Sequence, residues 1–216
     1  MKQNYLLKIA LTFIFALATH SSFGQVTTID FETENSGYTP SATEGSGFTD
    51  VFNRTNPSKG GNDTYMWSVE DLSLTNPSIQ LDEINVAGSN SFTFSIDLLA
   101  HHYDDWDSTD ELLITYSLDG GAYQNLMWIQ NTGDSANAPA ALDLAFDGNG
   151  DCGTETTLPS LSTGTSDGCT VSSNTFKTFV TSSITLSDNV NLNIKLQFKG
   201  LTSSDEGIYI DNIVIT

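Results

Sequence analysis

Residues 190–200 read VNLNIKLQFKG, and no other stretch restricts the fold as strongly. Val190, Leu192, Ile194, Leu196 and Phe198 alternate with Asn191, Asn193, Lys195, Gln197 and Lys199. A period of two places the apolar set on one face of an extended strand and the polar set on the other. Such a strand is stable only where a second apolar surface covers it. SFTFSIDLL at 91–99 repeats the pattern through Phe92, Phe94, Ile96 and Leu98. ELLITYSLDGGAYQNLMWIQ at 111–130 reads as a hairpin, two strand-forming runs around Asp119-Gly120-Gly121, a combination that suits a tight turn. Further strands are expected at 26–33, 64–70, 77–86, 175–186 and 207–215, with Gly, Asn, Asp, Ser and Pro between them. No segment has the spacing of a long amphipathic helix. The expected fold class is all-β, a two-sheet antiparallel sandwich.

The first 24 residues stand apart from this pattern. Lys2 and Lys8 precede an apolar run from Ile9 to Ala18, and Ser22 and Gly24 offer small residues before Gln25. This is the layout of a secretory signal peptide, too short to be a convincing membrane span. The expected mature chain, 25–216, is one exported domain, bound for the periplasm, the cell surface or the medium. It keeps 5 of the 7 basic side chains and all 27 acidic ones, a net charge of 5 − 27 = −22. That surface repels phosphate backbones and anionic lipid, which argues against nucleic acid and membranes as partners. It also leaves most carboxylates without Lys or Arg, so any that folding buries need backbone N–H groups or a metal ion. Residues 131–174 form a long insertion rich in small residues, unusual inside a compact domain. Cys152 and Cys169 are the only cysteines and are expected to form a disulfide that ties down its second half. Ala136 to Leu144 is expected to add a short helical turn.

Three separated pieces resemble a known architecture. IDFE at 29–32, GNDTYMW at 61–67 and GIYIDNIVI at 207–215 are similar in order and character to MAM-type and carbohydrate-binding-module jelly rolls. WDSTDELLITYSLDGG resembles modules of secreted Bacteroidota proteins. The likeness covers the mature chain apart from the insertion. It lacks the cysteine pattern of extracellular MAM domains, and Asn212 stands where a second Asp is common. The resemblance implies a jelly roll with a structural calcium site between the first and last strands, and Asp30, Glu32, Asp63 and Asp211 are the candidate ligands. The residues support this separately. Asp30 and Glu32 share a strand face, and Asp211 lies on an apolar strand where an unsatisfied charge is costly. Calcium takes several oxygen ligands in irregular geometry. A second candidate, DGNGDCG, spaces Asp147, Asn149 and Asp151 like the start of a calcium loop, but Cys152 stands where the EF-hand glycine belongs and no Glu follows at the twelfth position.

HHYDDWDSTDE, residues 101–111, combines two histidines, two aromatics and five carboxylates in the loop between two strands. Four readings compete. Catalysis lacks a G-x-S-x-G elbow, an H-E-x-x-H helix and an E-x-D-x-x-E strand, so no catalytic residue is assigned. A metal site is open to His101, Asp104, Asp105, Asp107 and Asp110, and oxygen-only calcium binding fits better than mixed ligation because adjacent histidines face apart. Glycan binding would use Tyr103 and Trp106 as stacking rings beside Asp104, Asp105 and Asp107, with Trp67 and Trp128 as further candidates, although tryptophans within strands are more often core residues. In the fourth, Trp106 packs over the sheet end and the acids stay solvated. The favoured function is a secreted non-catalytic recognition module for extracellular glycan, supported by calcium. A structural or adhesive protein that binds other proteins and a metal-dependent hydrolase are the alternatives.

Overall fold

A computed structural model describes residues 26–45, 49–56, 65–101, 105–131, 140–143, 146, 162–163, 171 and 175–216. The expected signal segment, Cys152 and Cys169 lie outside them. In chain order the strands are β1 (Thr27–Ile29), β2 (Tyr38–Pro40), β3 (Val51–Thr55), β4 (Met66–Glu70), β5 (Ser78–Leu81), β6 (Ile84–Asn85), β7 (Ser91–Phe92) and β8 (Phe94–His101). They continue with β9 (Glu111–Leu118), β10 (Gln124–Asn131), β11 (Ala140–Leu142), β12 (Ser162–Thr163), β13 (Lys177–Val180), β14 (Ile184–Thr185), β15 (Asn191–Lys199) and β16 (Gly207–Ile215). The first sheet runs β12-β13-β8-β16-β4-β3, with β1 also on β16. The second runs β11-β10-β9-β15-β5-β2, with β6 also on β15. β14 and β7 form a separate short pair. Every strand pairing is antiparallel, and the described residues contain no helix.

The core lies where the two sheets face each other. Leu192, Ile194, Leu196 and Phe198 of β15 are all 0% exposed, as the alternation requires. Phe94, Ile96 and Leu98 of β8 fill the opposing face. Ring contacts cross the interface: Phe52 of β3 meets Phe198 at 5.4 Å, and Trp67 of β4 meets Tyr38 of β2 at 5.7 Å, both edge-on. Such pairs add to the burial of large apolar side chains. Asp119 fastens the β9–β10 turn to the start of β15, accepting from the Val190 and Asn191 amides and the Asn189 side chain.

The insertion differs from expectation. Ala140–Leu142, expected within a helical turn, is a strand that pairs with Ile129–Asn131. The three residues are fully buried, so pairing and packing on the sheet edge override the helix preference of alanine. The Val171 amide donates to the Ala140 carbonyl, and the Val171 side chain joins the core.

Candidate functional site

The 105–110 segment closes one end of the sandwich. Trp106 is 0% exposed and belongs to the main core, while Asn131 Nδ2 donates to its carbonyl at 2.7 Å. For Trp106 this corrects the expected glycan platform. A ring surrounded by core side chains offers no face to a sugar, and Trp106 instead plugs the sheet end, as the fourth reading held for the ring; its expectation of solvated acids does not hold for Asp110, which is buried. Asp105 and Asp107 are half-buried. Tyr103 and Asp104 lie outside the described residues.

The plug holds the acids that follow it in place. Asp107 Oδ1 accepts from the Thr109 amide and hydroxyl, each at 2.7 Å. Asp110 Oδ2 accepts from the Asp107 amide at 2.8 Å, and Oδ1 from the Leu201 amide at 2.7 Å. Leu201 follows Gly200, where the chain leaves β15 with φ of 65° and then 54°. Glu206 turns back on the same loop and accepts from the Ser203 amide at 2.9 Å. The result is a group of three carboxylates, Asp107, Asp110 and Glu206, with ligand oxygens within 4.8 Å of one another. Asp110 is 1% exposed and Glu206 7%.

Burial is the main cause that lifts the Asp110 carboxyl to about 7, with Glu206 and Asp107 adding repulsion against the pull of the Leu201 and Asp107 backbone. Burial also raises Glu206. A carboxyl whose folded value lies above its ordinary 3.8 binds its proton more tightly in the folded state. Its stabilising effect is complete below that ordinary value and is lost as the pH rises through about 7. Oxygen donors from three carboxylates suit a hard divalent cation. Asp107 and Asp110 were legible in the sequence as candidate oxygen ligands. Glu206 was not, because only the fold brings its loop to theirs.

The first and last strands do meet, through Thr27–Ile29 on Ile213–Ile215. Asp211 is 2% exposed. Its Oδ1 accepts from the Asn212 amide at 2.8 Å, and the chain bulges there, with Asn212 at φ 44°. Burial raises the Asp211 carboxyl to about 6, with Asp97, Glu32 and Asp30 adding repulsion. The structure therefore puts three of the four expected calcium ligands within electrostatic reach of one another. Asp30 and Glu32 are exposed and already engaged, accepting from the Glu32 and Tyr65 amides. They do not form a tight group like the one at Asp110. Asp63, and the second candidate set Asp147, Asn149 and Asp151, lie outside the described residues.

The outer faces of the two sheets differ. On the first sheet Met66, Leu99 and Tyr209 form a small buried cluster, and Tyr209 donates to Glu70 Oε2 at 2.5 Å with both side chains buried. On the second sheet the outward positions of β9, β15 and β5 are partly open, except Ser117, which is buried. Cross-strand register sets them in rows: Gln130, Glu111 and Lys199; then Trp128, Leu113, Gln197 and Ser78; then Asn125, Thr115, Lys195, Gln80 and Thr39; then Ser117 and Asn193.

Glu111 holds the first row together. Its Oε2 accepts from Trp128 Nε1 at 3.0 Å and Gln130 Nε2 at 3.1 Å, and its Oε1 pairs with Lys199 Nζ at 2.9 Å. Trp128 is half-buried and stacks with Phe146 at 6.5 Å. At the opposite side Tyr123, 48% exposed, donates to Gln80 Oε1 at 3.0 Å. Trp67, the other tryptophan considered for ligand contact, is buried in the core.

Fold and site together define an all-β sandwich with one open polar-aromatic face and an acidic end. Comparison with protein-family models finds no match, and comparison with curated proteins finds none either. Among solved structures, the chain is similar to the N-terminal CBM22-1 and GH10 modules of a Clostridium thermocellum endo-1,4-beta-D-xylanase complexed with xylohexaose, at 10% identity and TM-score 0.45. That match covers 89% of this chain and 28% of the xylanase chain. A xylan-binding CBM22 domain is similar at 11% identity and TM-score 0.44, covering 90% of this chain and 96% of that one. The K1 cleaved adhesin domain of Lys-gingipain from Porphyromonas gingivalis is similar at 14% identity and TM-score 0.43, covering 89% and 98%. Likeness at this level assigns neither a ligand nor a function to this chain.

Proposed function

We propose that this chain is an exported, non-catalytic module of jelly-roll type that binds extracellular glycan on the outer face of its second sheet. One observation carries the reading: that face presents Trp128 and Tyr123 with a field of amides and hydroxyls between them, Gln197, Thr115, Gln80 and Asn193. Aromatic rings take the apolar C–H faces of sugars, and neutral polar side chains exchange hydrogen bonds with hydroxyls. The alternatives, a protein-binding adhesive role and a metal-dependent hydrolase, need an apolar patch or an assembled catalytic group, and neither supports them as directly. The Cys152–Cys169 disulfide and the calcium ion belong to the same reading.

Affinity electrophoresis of residues 25–216 through gels containing a panel of neutral and substituted polysaccharides tests it. At least one polymer is expected to retard the protein. Tyr123→Ala is expected to weaken that retention roughly five- to tenfold, the loss of an aromatic contact worth about 1–1.5 kcal/mol. Trp128→Ala is expected to weaken it further. Mobility unchanged by every polymer, or retention indifferent to both substitutions, would remove the glycan face.

For calcium, Asp107, Asp110 and Glu206 supply the favoured donor set, and Asp30, Glu32, Asp63 and Asp211 a second. The ion would supply charge that these desolvated carboxylates otherwise lack. In EDTA, stability measured by denaturant titration is expected to fall as the pH rises through about 7. Millimolar calcium is expected to flatten that slope, and Asp110→Asn to flatten it without calcium. A slope equal in all three conditions would sink the proposal.

A further inference from the structure

We infer that the open face selects glycans with carboxylate substituents on an otherwise neutral backbone, and that Lys195 is the residue that reads them. This rests on the glycan reading above and specifies its substrate class.

The observation is the placement of positive charge. The chain has 7 Lys and Arg against 27 Asp and Glu, so a cationic side chain can readily find an anionic partner. The others among the described residues are engaged. Arg54 donates to the Phe31 and Glu32 carbonyls and lies 3.4 Å over the Tyr65 ring. Lys177 has interactions of its own, and Lys199 pairs with Glu111. Lys195 is the exception. Among the described residues no carboxylate pairs with its ammonium group.

Its position is central rather than peripheral. In register it lies between Thr115 and Gln80, in the row that Tyr123 reaches through Gln80. The side chains beside it on the face are uncharged: Thr115, Gln80, Asn193 and Gln197; beyond Asn193, Glu83 accepts from that amide at 3.5 Å. Glu111 stands four residues away along β9 from Thr115, about 13 Å at strand rise, and is already committed to Lys199, Trp128 and Gln130. An ammonium with no carboxylate partner among the described residues, flanked by neutral hydrogen-bonding groups, is a complement for a single anionic group on a polymer whose remaining contacts are hydroxyls.

The rest of the molecule restricts the ligand further. The mature chain carries 5 − 27 = −22 charges, and that field opposes the approach of a polyanion. A densely charged polymer meets the repulsion along its whole length and gains one lysine. A chain with sparse uronate branches meets little of it and still reaches the ammonium. The face therefore favours sparse carboxylates over none, and over many.

A matched pair of probes tests this: a glucuronate-substituted xylan, and the same polymer after its carboxyl groups are reduced to alcohols. In low-salt affinity gels the native polymer is expected to bind roughly fivefold more tightly than the reduced one, as for one accessible ion pair. That preference is expected to shrink as salt is added. Lys195→Gln is expected to abolish the preference while keeping retention by the reduced polymer, and Lys195→Arg to restore it. Equal binding of the two polymers, or a preference that survives Lys195→Gln, would overturn this inference and leave the glycan face standing. Retention by neither polymer, nor by any other in the panel, would overturn both.

Discussion

Trp106→Ala is expected to destabilise the protein by about 3–5 kcal/mol, the cost of emptying a large buried aromatic site, and to leave glycan retention intact while the protein stays folded. Trp106 is wholly inside the core. Its carbonyl is held by Asn131 at the end of β10, so removing the ring opens a void where the second sheet meets the acidic loop. For a domain of this length the loss corresponds to a fall in Tm on the order of 10 °C. Thermal unfolding and gel retention, measured on the same variant below its Tm, check both halves. Retention lost with little change in Tm would return Trp106 to the ligand and put the binding face in the wrong place.

Gly200→Ala is expected to cost about 2–5 kcal/mol, from a left-handed backbone and an overpacked contact together. At φ 65° a Cβ would sit 2.2 Å from Asp110 Oδ1, 2.7 Å from the Thr109 carbonyl oxygen and 2.8 Å from Asp110 Cα. Two of those atoms are backbone and cannot swing aside. The carboxylate is equally confined, because the Leu201 and Asp107 amides hold its oxygens. The substitution therefore acts on the acidic group as well as on stability. The calcium response is expected to weaken in parallel with the loss of Tm. A variant as stable as wild type would mean that the loop from 105 to 110 is free to move away from β15.

The two-sheet sandwich was legible because its longest strands announce themselves. Residues 190–199 and 207–215 became β15 and β16, and the alternation in β15 predicts which side chains are buried. Short strands left little trace. β2 and β12 have three and two residues, too few for a period to develop, and Ala140–Leu142 carries alanines that read equally well as helix. The choice among tryptophans shows a different limit. Trp106 sits among aspartates and looked wet, while Trp128 sits in an apolar run and looked buried. Register reverses this. Trp128 pairs opposite Leu113 on the outer face, and Met127 and Ile129, its neighbours in sequence, face the core. The two-residue alternation of Trp128 with Gln130 was the available signal. For Glu206 there was none, since a partner supplied by a distant loop leaves no mark on local sequence.

The placement of β16 has a kinetic consequence. This strand, at 207–215, lies inside the first sheet between β8 and β4 and also pairs with β1. The first sheet cannot close until nearly the whole length described has been made, and its closure joins residues about as far apart in sequence as the domain allows. Loop closure of that span is entropically costly and slows folding. A growing chain can form the β9–β10 hairpin early, but its first sheet stays open on both sides of the β16 position until residues 207–215 are available to fill it.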